Sequence, residues 1–197
     1  MLNDIYVCRT ILIGDTCVGK TSILKKFLEN KFNPNEANTV GTLFHSYIEK
    51  RSNFSIELAL WDTAGQEKYR SLIPIYFRGS DAALLVFDLS NRQSFESLNE
   101  WLELVRSSVL DSTIIFLVGN KSDLIQERCV SFQEAKQWAS NNNCSYFEVS
   151  ALSGNGIPIL IPQLLNQFEK MILTSQSTAF VESHLKQKKD PQPSSCC

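Results

Sequence analysis

A glycine-rich motif between an apolar run and a helical pattern constrains this chain more than any other feature. Residues 14–21 read Gly-Asp-Thr-Cys-Val-Gly-Lys-Thr and match the spacing G-x-x-x-x-G-K-[ST] of a phosphate-binding loop. The preceding residues 6–13 are apolar and rich in β-branched side chains, which predicts a buried strand, and residues 22–29 have apolar positions at helical spacing. The motif therefore joins a strand to a helix, which is the context that phosphate binding requires.

The residues of this loop explain its chemistry. Gly14 and Gly19 allow the backbone to curl so that its amides point inward, and the positive end of a helix that begins near Lys20 adds to them. We expect Lys20 to reach the β- and γ-phosphates, and Thr21 to offer its hydroxyl to Mg²⁺. The alternative is a surface turn that matches by accident, but few such turns lie between a strand and a helix. The loop does not select a nucleotide, because ATPases, kinases and GTPases share it.

Length and composition fit one soluble domain. The chain has 197 residues, of which 43% are hydrophobic, and its formal net charge of −2 gives no basic field for nucleic acid. It has no apolar span of 18 residues and no signal-peptide layout, so we expect a soluble intracellular protein. Four cysteines are scattered along a chain too large to need disulfides, and we expect reduced thiols at Cys8, Cys17, Cys129 and Cys144.

Strand-like and helix-like segments alternate along the chain, which is the pattern of an α/β fold. The predicted elements are strands near residues 5–13, 43–51, 54–61, 82–88, 113–119 and 145–149, and helices near 20–29, 67–77, 92–109, 131–141 and 157–170. The runs 82–87 and 114–118 are continuously apolar, as strands covered on both faces must be. Residues 43–61 are more polar and predict a hairpin with one antiparallel strand at an edge. We therefore expect a six-stranded, mostly parallel sheet with helices on both faces.

The last part of the chain differs in composition from the rest. After about residue 172 the periodicity fades into Ser, Gln, Lys and Pro, a composition that buries too little apolar surface to stay ordered. The sequence therefore predicts a folded domain over residues 1–172 and a flexible tail over residues 173–197, which ends in Cys196 and Cys197.

Three further motifs follow predicted strands, and one of them selects the base. A carboxylate at Asp62, in the motif Asp62–Gly65, can hold Mg²⁺ through its water, although it can also cap the next helix. The motifs Asn120–Asp123 and Ser150–Leu152 follow later strands. The Asp123 carboxylate can accept two hydrogen bonds from guanine, whereas adenine lacks both donors. All three motifs lie at the carboxyl ends of strands, where open α/β sheets bind ligands.

These motifs make the chain similar to the Ras superfamily of small GTPases over nearly its whole length, and therefore to a phosphate-binding-loop GTPase domain. The five guanine-nucleotide motifs occur in the family's order and spacing at Gly14–Thr21, Thr39, Asp62–Gly65, Asn120–Asp123 and Ser150–Ala151. Within that superfamily the chain resembles a Rab. Residues 38–44 and 61–78 are similar to the two Rab switch segments, and the Cys-Cys pair fits as well.

The resemblance implies a role for each matched residue. Thr21 and Thr39 would coordinate Mg²⁺ directly, and Asp62 would do so through water. Gln66 would orient the water that attacks the γ-phosphate. The effector surface would comprise Phe44, Trp61 and Tyr76. The nucleotide-binding residues would be Gly14, Asp15, Thr16, Cys17, Val18, Gly19, Lys20, Thr21, Ser22, Phe32, Thr39, Gly65, Asn120, Lys121, Asp123, Ser150, Ala151 and Leu152.

Among these residues, a few would hold the base. Phe32 would pack against the guanine ring, and Lys121 would lie along it. Asn120, Asp123 and the Ala151 amide would read the base edge. Three departures from the family pattern are Leu152 in place of the usual Lys, Thr16 in place of the Gly of Ras, and Thr42-Leu43 in the first-switch strand. We expect the change at Leu152 to have a modest effect, because recognition rests mostly on Asp123 and a backbone amide.

The resemblance also implies a function, which is a GTP/GDP-dependent switch in vesicle membrane trafficking with slow hydrolysis in the absence of an activating protein. The implied partners are an exchange factor, a GTPase-activating protein, a GDP-dissociation inhibitor or escort protein, and effectors, with no nucleic acid and a monomeric chain. Cys196 and Cys197 would carry geranylgeranyl groups, so the protein would lie on the cytoplasmic face of an intracellular membrane, with a cytosolic pool. A disulfide or half of a metal site is the alternative for this pair.

Two functions of other classes compete with this interpretation. A nucleotide kinase would need a second phosphate-acceptor site with arginines and a lid, and no segment of the sequence has that pattern. A scaffold that holds GTP permanently would not need Gln66, so a single-turnover assay distinguishes it from a GTPase.

Overall fold

The computed structural model describes residues 4–63, 77–174 and 184 of the chain. Strands and helices follow one another along these residues. The strands are β1 (Asp4–Ile13), β2 (Thr42–Lys50), β3 (Phe54–Thr63), β4 (Ala82–Asp88), β5 (Ile114–Asn120) and β6 (Ser145–Glu148). The helices are α1 (Lys20–Glu29), α2 (Arg92–Glu96), α3 (Leu98–Arg106), α4 (Phe132–Asn141) and α5 (Ile157–Thr174). Each strand lies within two residues of its predicted bounds.

The six strands form one sheet in the order β2-β3-β1-β4-β5-β6. β2 lies at an edge and pairs antiparallel with β3, whereas the other four neighbouring pairs are parallel. The reason lies in the connections, because residues 51–53 suffice for a hairpin while parallel neighbours need a longer crossover. The predicted edge hairpin and mostly parallel sheet are confirmed.

Helices cover both faces of the sheet, as its continuously apolar strands require. All seven residues of β4 are buried, and residues 82–87 alternate between two cores. On one face Leu84 packs in a core with residues of α1 and α5, and on the other face Leu85 packs in a core with residues of α2, α3 and α4. The predicted helices on both faces are therefore confirmed.

Two predicted helices differ from the structure. The helix predicted over 92–109 is divided into α2 and α3 at Ser97, whose hydroxyl donates to the Gln93 carbonyl at 3.0 Å, a bond that commonly bends helices. The helix predicted over 67–77 lies outside the described residues apart from Phe77, which is fully buried.

The predicted tail begins inside a helix. α5 runs to Thr174, four residues beyond its predicted end, because its apolar positions continue to Ile172, which is buried. Within residues 175–197 the structure describes His184 alone, and that side chain is buried. Among the described residues, no helix combines the length and apolar character that a membrane span needs.

Candidate nucleotide-binding site

A cavity of about 600 Å³ opens at the carboxyl ends of β1 and β5, a volume in the range of small-molecule sites. The predicted site residues that line it are Thr16, Cys17, Gly19, Lys20, Thr21, Ser22, Phe32, Thr39, Asn120, Lys121, Asp123, Ala151 and Leu152. Residues from four separate segments of the chain therefore meet at one cavity. Gly14, Asp15, Val18 and Ser150 lie beside it without lining it, and they act through the bonds described below.

The glycine-rich loop has the curled backbone that its sequence predicts. It connects the end of β1 to Lys20, the first residue of α1, with φ of +139° at Gly14 and +94° at Gly19. A Cβ atom at Gly14 would lie 2.0 Å from the Val86 carbonyl oxygen, and one at Gly19 would lie 2.3 Å from Asn120 Nδ2. Both positions therefore need glycine, for its backbone freedom and for space.

Lys20 is held at the mouth of this loop. Its Nζ donates to the carbonyl oxygens of Gly14 and Asp15, each at 2.8 Å, and the residue is only 5% exposed. Burial lowers the pKa of Lys20 to about 8, against the opposing effect of the Asp62 and Asp15 carboxylates. The loop thus holds a desolvated ammonium group whose charged form gains most from an anion in the cavity.

A tryptophan on the neighbouring helix supports the loop from behind. Trp101 Nε1, on α3, donates to Asp15 Oδ1 at 2.7 Å. The sequence analysis missed this contact, because an aromatic residue at a helical apolar position predicts a core side chain without naming its partner. The bond ties the loop to the core on one face of the sheet.

Three oxygen-bearing side chains converge beside the loop. Thr21 Oγ1, at the start of α1, lies 2.6 Å from Asp62 Oδ2 and 2.8 Å from Thr39 Oγ1, and the distance from Thr39 Oγ1 to Asp62 Oδ2 is 3.4 Å. Asp62 Oδ1 is buried and has no hydrogen-bond partner among the described residues. Burial raises the pKa of Asp62, and the hydrogen bond from Thr21 partly offsets that rise. The three residues predicted to hold a metal therefore lie together.

At the other end of the cavity, Asn120 joins two loops. Its Nδ2 donates to the Val18 carbonyl oxygen at 2.8 Å, and its Oδ1 accepts from the Ala151 amide at 3.1 Å. The side chain therefore connects the glycine-rich loop to the loop after β6. Next to it, the hydroxyl of Ser150 donates to Asp123 Oδ1 and orients that carboxylate.

Lys121 has a partner that the sequence analysis missed. Its Nζ lies 2.6 Å from Asp88 Oδ2, and its backbone φ is +64°. Asp88 is the last residue of β4. An acidic residue at the end of an apolar run was the sequence signal that could have identified this partner. Phe32 and Leu152 line the cavity from the outside, and Leu152 leaves 52% of its surface exposed.

The segment between α1 and β2 contributes more of the cavity wall than the sequence analysis assigned to it. The lining residues missed there are Asn33, Pro34, Glu36, Ala37 and Asn38, and elsewhere they are Thr63 and Leu124. Besides the bonds of Thr39 to Thr21 and Asp62, this segment has two contacts: Lys25 Nζ lies 2.7 Å from Glu36 Oε1, and Cys17 Sγ lies 3.6 Å from Asn38 Oδ1. The turn-forming residues 33–35 were the sequence signal that could have identified this part of the cavity wall.

Two of the three predicted effector-surface residues form a pair on the edge hairpin. Phe44 on β2 lies opposite Trp61 on β3, with ring centroids 5.0 Å apart, and Phe44 is 53% exposed. An aromatic pair of this kind, with Phe44 exposed and Trp61 partly buried, suits a protein interface. The remaining predicted residues that lie outside the described ones are Gly65, Gln66, Tyr76, Cys196 and Cys197.

The chain is similar to known proteins over most of its length. The sequence model of the Ras family matches residues 9–170. The GTP-binding protein ypt3 of Schizosaccharomyces pombe is 36% identical over 167 residues, which are 85% of this chain and 78% of that protein. Ras-related protein Rab-4 of Dictyostelium discoideum is 40% identical over 157 residues, 80% of this chain and 77% of that protein. Ras-related protein Rab-21 of Homo sapiens is 38% identical over 174 residues, 87% and 75% of the two chains.

Family, fold and site geometry agree, since a phosphate-binding loop, an oxygen cluster and a carboxylate suited to guanine surround one cavity. The chain therefore belongs to the Ras family and is a Rab-type small GTPase, a GTP-binding and GTP-hydrolysing switch of vesicle trafficking.

Proposed function

We propose that Thr21, Thr39 and Asp62 hold Mg²⁺ beside the phosphates of a guanine nucleotide bound in the cavity. The observation that carries this proposal is the oxygen cluster, in which Thr21 Oγ1 lies within 2.8 Å of an oxygen of each of the other two residues. The buried Asp62 Oδ1 has no partner among the described residues, and such an oxygen is costly unless something binds it. Mg²⁺ prefers oxygen ligands, so the residues present fit the ion.

The phosphates are bound by the loop and its lysine. When bound, the metal ion neutralises charge on the β- and γ-phosphate oxygens. Lys20 Nζ, now on the Gly14 and Asp15 carbonyl oxygens, turns to phosphate oxygens, whose negative charge favours the ammonium form that burial opposes. The amides of residues 14–21 and the amino end of α1 supply further donors.

The base is recognised by Asp123. Its carboxylate accepts from the N1–H and the 2-amino group of guanine, while the Ser150 hydroxyl keeps it oriented. Phe32 and Leu152 cover the ring from the rim of the cavity, and Lys121 lies along it. Asn120 contributes by holding the two loops together, through bonds to Val18 and Ala151.

The switch operates through Thr39 and the segment after Asp62. The Thr39 hydroxyl contacts Thr21, so the wall segment 33–39 is connected to the phosphate end of the cavity, and hydrolysis of the γ-phosphate releases it. The Gly65 amide binds the same phosphate, and Gln66 orients the attacking water. Effectors read the change at Phe44, Trp61 and Tyr76, and an exchange factor and a GTPase-activating protein set its timing.

The folded domain, which extends to the end of α5 at Thr174, is carried on membranes by the tail that follows it. Geranylgeranyl groups on Cys196 and Cys197 anchor a monomer to the cytoplasmic face of an intracellular membrane, and a GDP-dissociation inhibitor or escort protein maintains a cytosolic pool. Two chains are needed, because one lipid gives only marginal and reversible binding.

Thr21→Ala tests the metal site. Loss of one bond to a charged group is worth about 1.5–3 kcal/mol, so we expect GDP to dissociate about ten- to a hundredfold faster than from the wild type in Mg²⁺. Chelation of Mg²⁺ should accelerate release from the wild type and have little further effect on the variant. Thr113→Ala is the matched control, because Thr113 bonds to Ser80 at the other end of the sheet. Equal Mg²⁺ dependence in both variants contradicts the assignment.

Gln66→Leu tests the hydrolytic step. We expect nucleotide affinity to be unchanged and single-turnover hydrolysis to slow by up to ~10²-fold, because a misplaced attacking water loses that much. A variant that hydrolyses GTP at the wild-type rate would show that another group positions the water.

A further inference from the structure

A buried carboxylate lies at the end of the sheet remote from the cavity. Asp81 directly precedes β4, and its carbonyl oxygen accepts from Ile114 N at 2.9 Å, so this carboxylate is at the amino ends of β4 and β5. The cavity lies at the carboxyl ends of the strands. The Asp81 side chain is only 8% exposed, and its Oδ2 accepts from the Arg9 amide at 2.7 Å.

The other oxygen of this carboxylate is bonded to a residue from the predicted tail. His184 Nε2 lies 2.6 Å from Asp81 Oδ1, and the His184 side chain is itself only 9% exposed. Because a carboxylate accepts, the imidazole N–H donates. The bond joins residues 103 positions apart in the sequence and brings the segment after α5 back to the start of β4.

The same imidazole has an apolar neighbour. The ring of His184 lies against Phe168 of α5, with ring centroids 5.8 Å apart and an angle of 57° between the planes. Phe168 is fully buried in the core that α5 forms with the sheet. His184 therefore satisfies a buried acceptor with one edge and packs on an aromatic core residue with its face. These two contacts use both chemical properties of imidazole.

We propose that the region around Asp81 and Phe168 is a docking site for the chain's own C-terminal segment, with His184 as the residue that holds it. A tail held in this way leaves the domain at His184 and not at the end of α5. Eleven residues, 185–195, then separate the docked point from Cys196, whereas twenty-one residues, 175–195, separate Thr174 from it. Release of His184 thus lengthens the connection without any change in covalent structure.

The consequence for membrane attachment rests on the proposed lipid anchor. At 3.3–3.6 Å per residue, the connection from His184 reaches at most about 40 Å and the connection from Thr174 at most about 75 Å. Docking therefore holds the domain close to the bilayer, with the nucleotide site at the opposite end of the sheet, where the carboxyl ends of the strands lie. A partner that needs the whole tail must first displace His184 from Asp81.

Nuclear magnetic resonance of the full-length chain with bound GDP tests the docking directly. The sequence has two histidines, so the imidazole spectrum contains two sets of signals, and His45→Gln identifies the His45 set by removing it. We expect the His184 set to show nuclear Overhauser contacts to the Phe168 ring and a ring-current shift. Asp81→Asn and Phe168→Leu should each move the His184 set towards the position of free imidazole.

A His184 set at the free-imidazole position, with no contact to Phe168, would overturn the proposal. The contact in the wild-type chain decides the matter even where the Asp81 or Phe168 variant fails to fold. The nature of the bond is tested by His184→Gln, which keeps an N–H donor, and by His184→Phe, which keeps only the ring. Protection of the Arg9 amide from hydrogen exchange should survive better in the Gln variant.

Energy transfer on vesicles tests the consequence. With a fluorescent GDP analogue in the cavity and an acceptor dye in the bilayer, lipid-modified His184→Ala should show lower transfer than the wild type, and His45→Ala should not. If docking is present and His184→Ala leaves energy transfer unchanged, the inference that docking holds the domain closer to the bilayer is wrong. If no vesicle binding occurs, the lipid anchor fails as a function, while the Phe168 contact still decides the docking.

Discussion

At the scale of residues, the proposed selectivity for guanine rests on one carboxylate. In the proposed assignment, Lys20, the glycines and Thr21 would serve any nucleoside triphosphate, since they would contact phosphates and metal. Asp123 lines the opposite end of the cavity and accepts from Ser150 on one oxygen. An adenine in that place would leave the carboxylate facing no suitable donor, which would be the physical basis of the proposed selectivity.

Asp123→Asn should change the base preference of the site from guanine to xanthine. The amide presents a donor towards guanine N1–H, whereas the 2-oxo group of xanthine accepts from it. We expect GTP affinity to fall by about ten- to a hundredfold, the effect of losing a charged hydrogen bond of about 1.5–3 kcal/mol. Competition titration with GTP and xanthosine triphosphate measures it, with Asp111→Asn, an exposed position, as the matched control. Unchanged GTP affinity would remove the guanine assignment.

At the scale of elements, the loops that form the cavity are joined to one another as well as to the strands that precede them. Asn120, at the end of β5, is buried and bonds to both the glycine-rich loop and the loop after β6. Trp101 on α3 bonds to the same glycine-rich loop from the other side. The two contacts hold the loop between a strand end and a helix, which keeps the site preformed.

Asn120→Ala should lower the stability of the domain and speed GDP release, because it removes the side chain that joins these loops. Two hydrogen bonds are lost, each worth about 0.5–1.5 kcal/mol, and the Val18 carbonyl and Ala151 amide lose their bonds. We expect the free energy of unfolding in excess GDP to fall by about 1–3 kcal/mol, and GDP release to accelerate. Urea titration and release kinetics measure these changes.

Asn141→Ala provides the comparison, because Asn141 accepts a bond from Gln137 on the exposed surface of α4. Its effect on stability should stay within about 0.5 kcal/mol. A similar effect in both variants would show that the bonds of Asn120 to the two loops do not contribute to the stability of the domain.

At the scale of the whole molecule, the two ends of the sheet have separate tasks. The carboxyl ends carry the nucleotide cavity, and the amino ends carry the contact between His184 and Asp81. The edge hairpin, with Phe44 and Trp61, runs between them on one side. Changes to the tail should therefore alter membrane attachment and leave nucleotide binding intact.

Cys196→Ser with Cys197→Ser should release the protein from membranes. Two lipid chains anchor stably while one gives marginal binding, so the single variants should lose most of the membrane-bound fraction and the double variant all of it. Fractionation of cells measures this, and GDP affinity should not change.

Cys129→Ser with Cys144→Ser is the matched double control, since both are thiols of the folded domain remote from the cavity. A double tail variant that still fractionates with membranes like the wild type would show that the anchor lies elsewhere.

Much of the fold and the site follows from local sequence. The order of strands and helices, the edge hairpin and the glycine-rich loop were predictable, because periodicity and an eight-residue motif are determined by neighbouring residues. The motif constrains its own backbone, as Gly14 and Gly19 show. The resemblance of the motifs to the Ras superfamily likewise needs only residues and their spacing, and the family comparison confirms it.

The pairing of distant side chains was decided only by the tertiary structure. Periodicity indicates that Trp101 is buried and that Asp88 ends a strand, but their bonds to Asp15 and Lys121 depend on how helices and strands pack. The composition after residue 172 predicts a flexible tail, yet His184 is buried because the folded domain offers it a carboxylate and an aromatic ring. A side chain's partner depends on the positions of whole elements, and that information is not local.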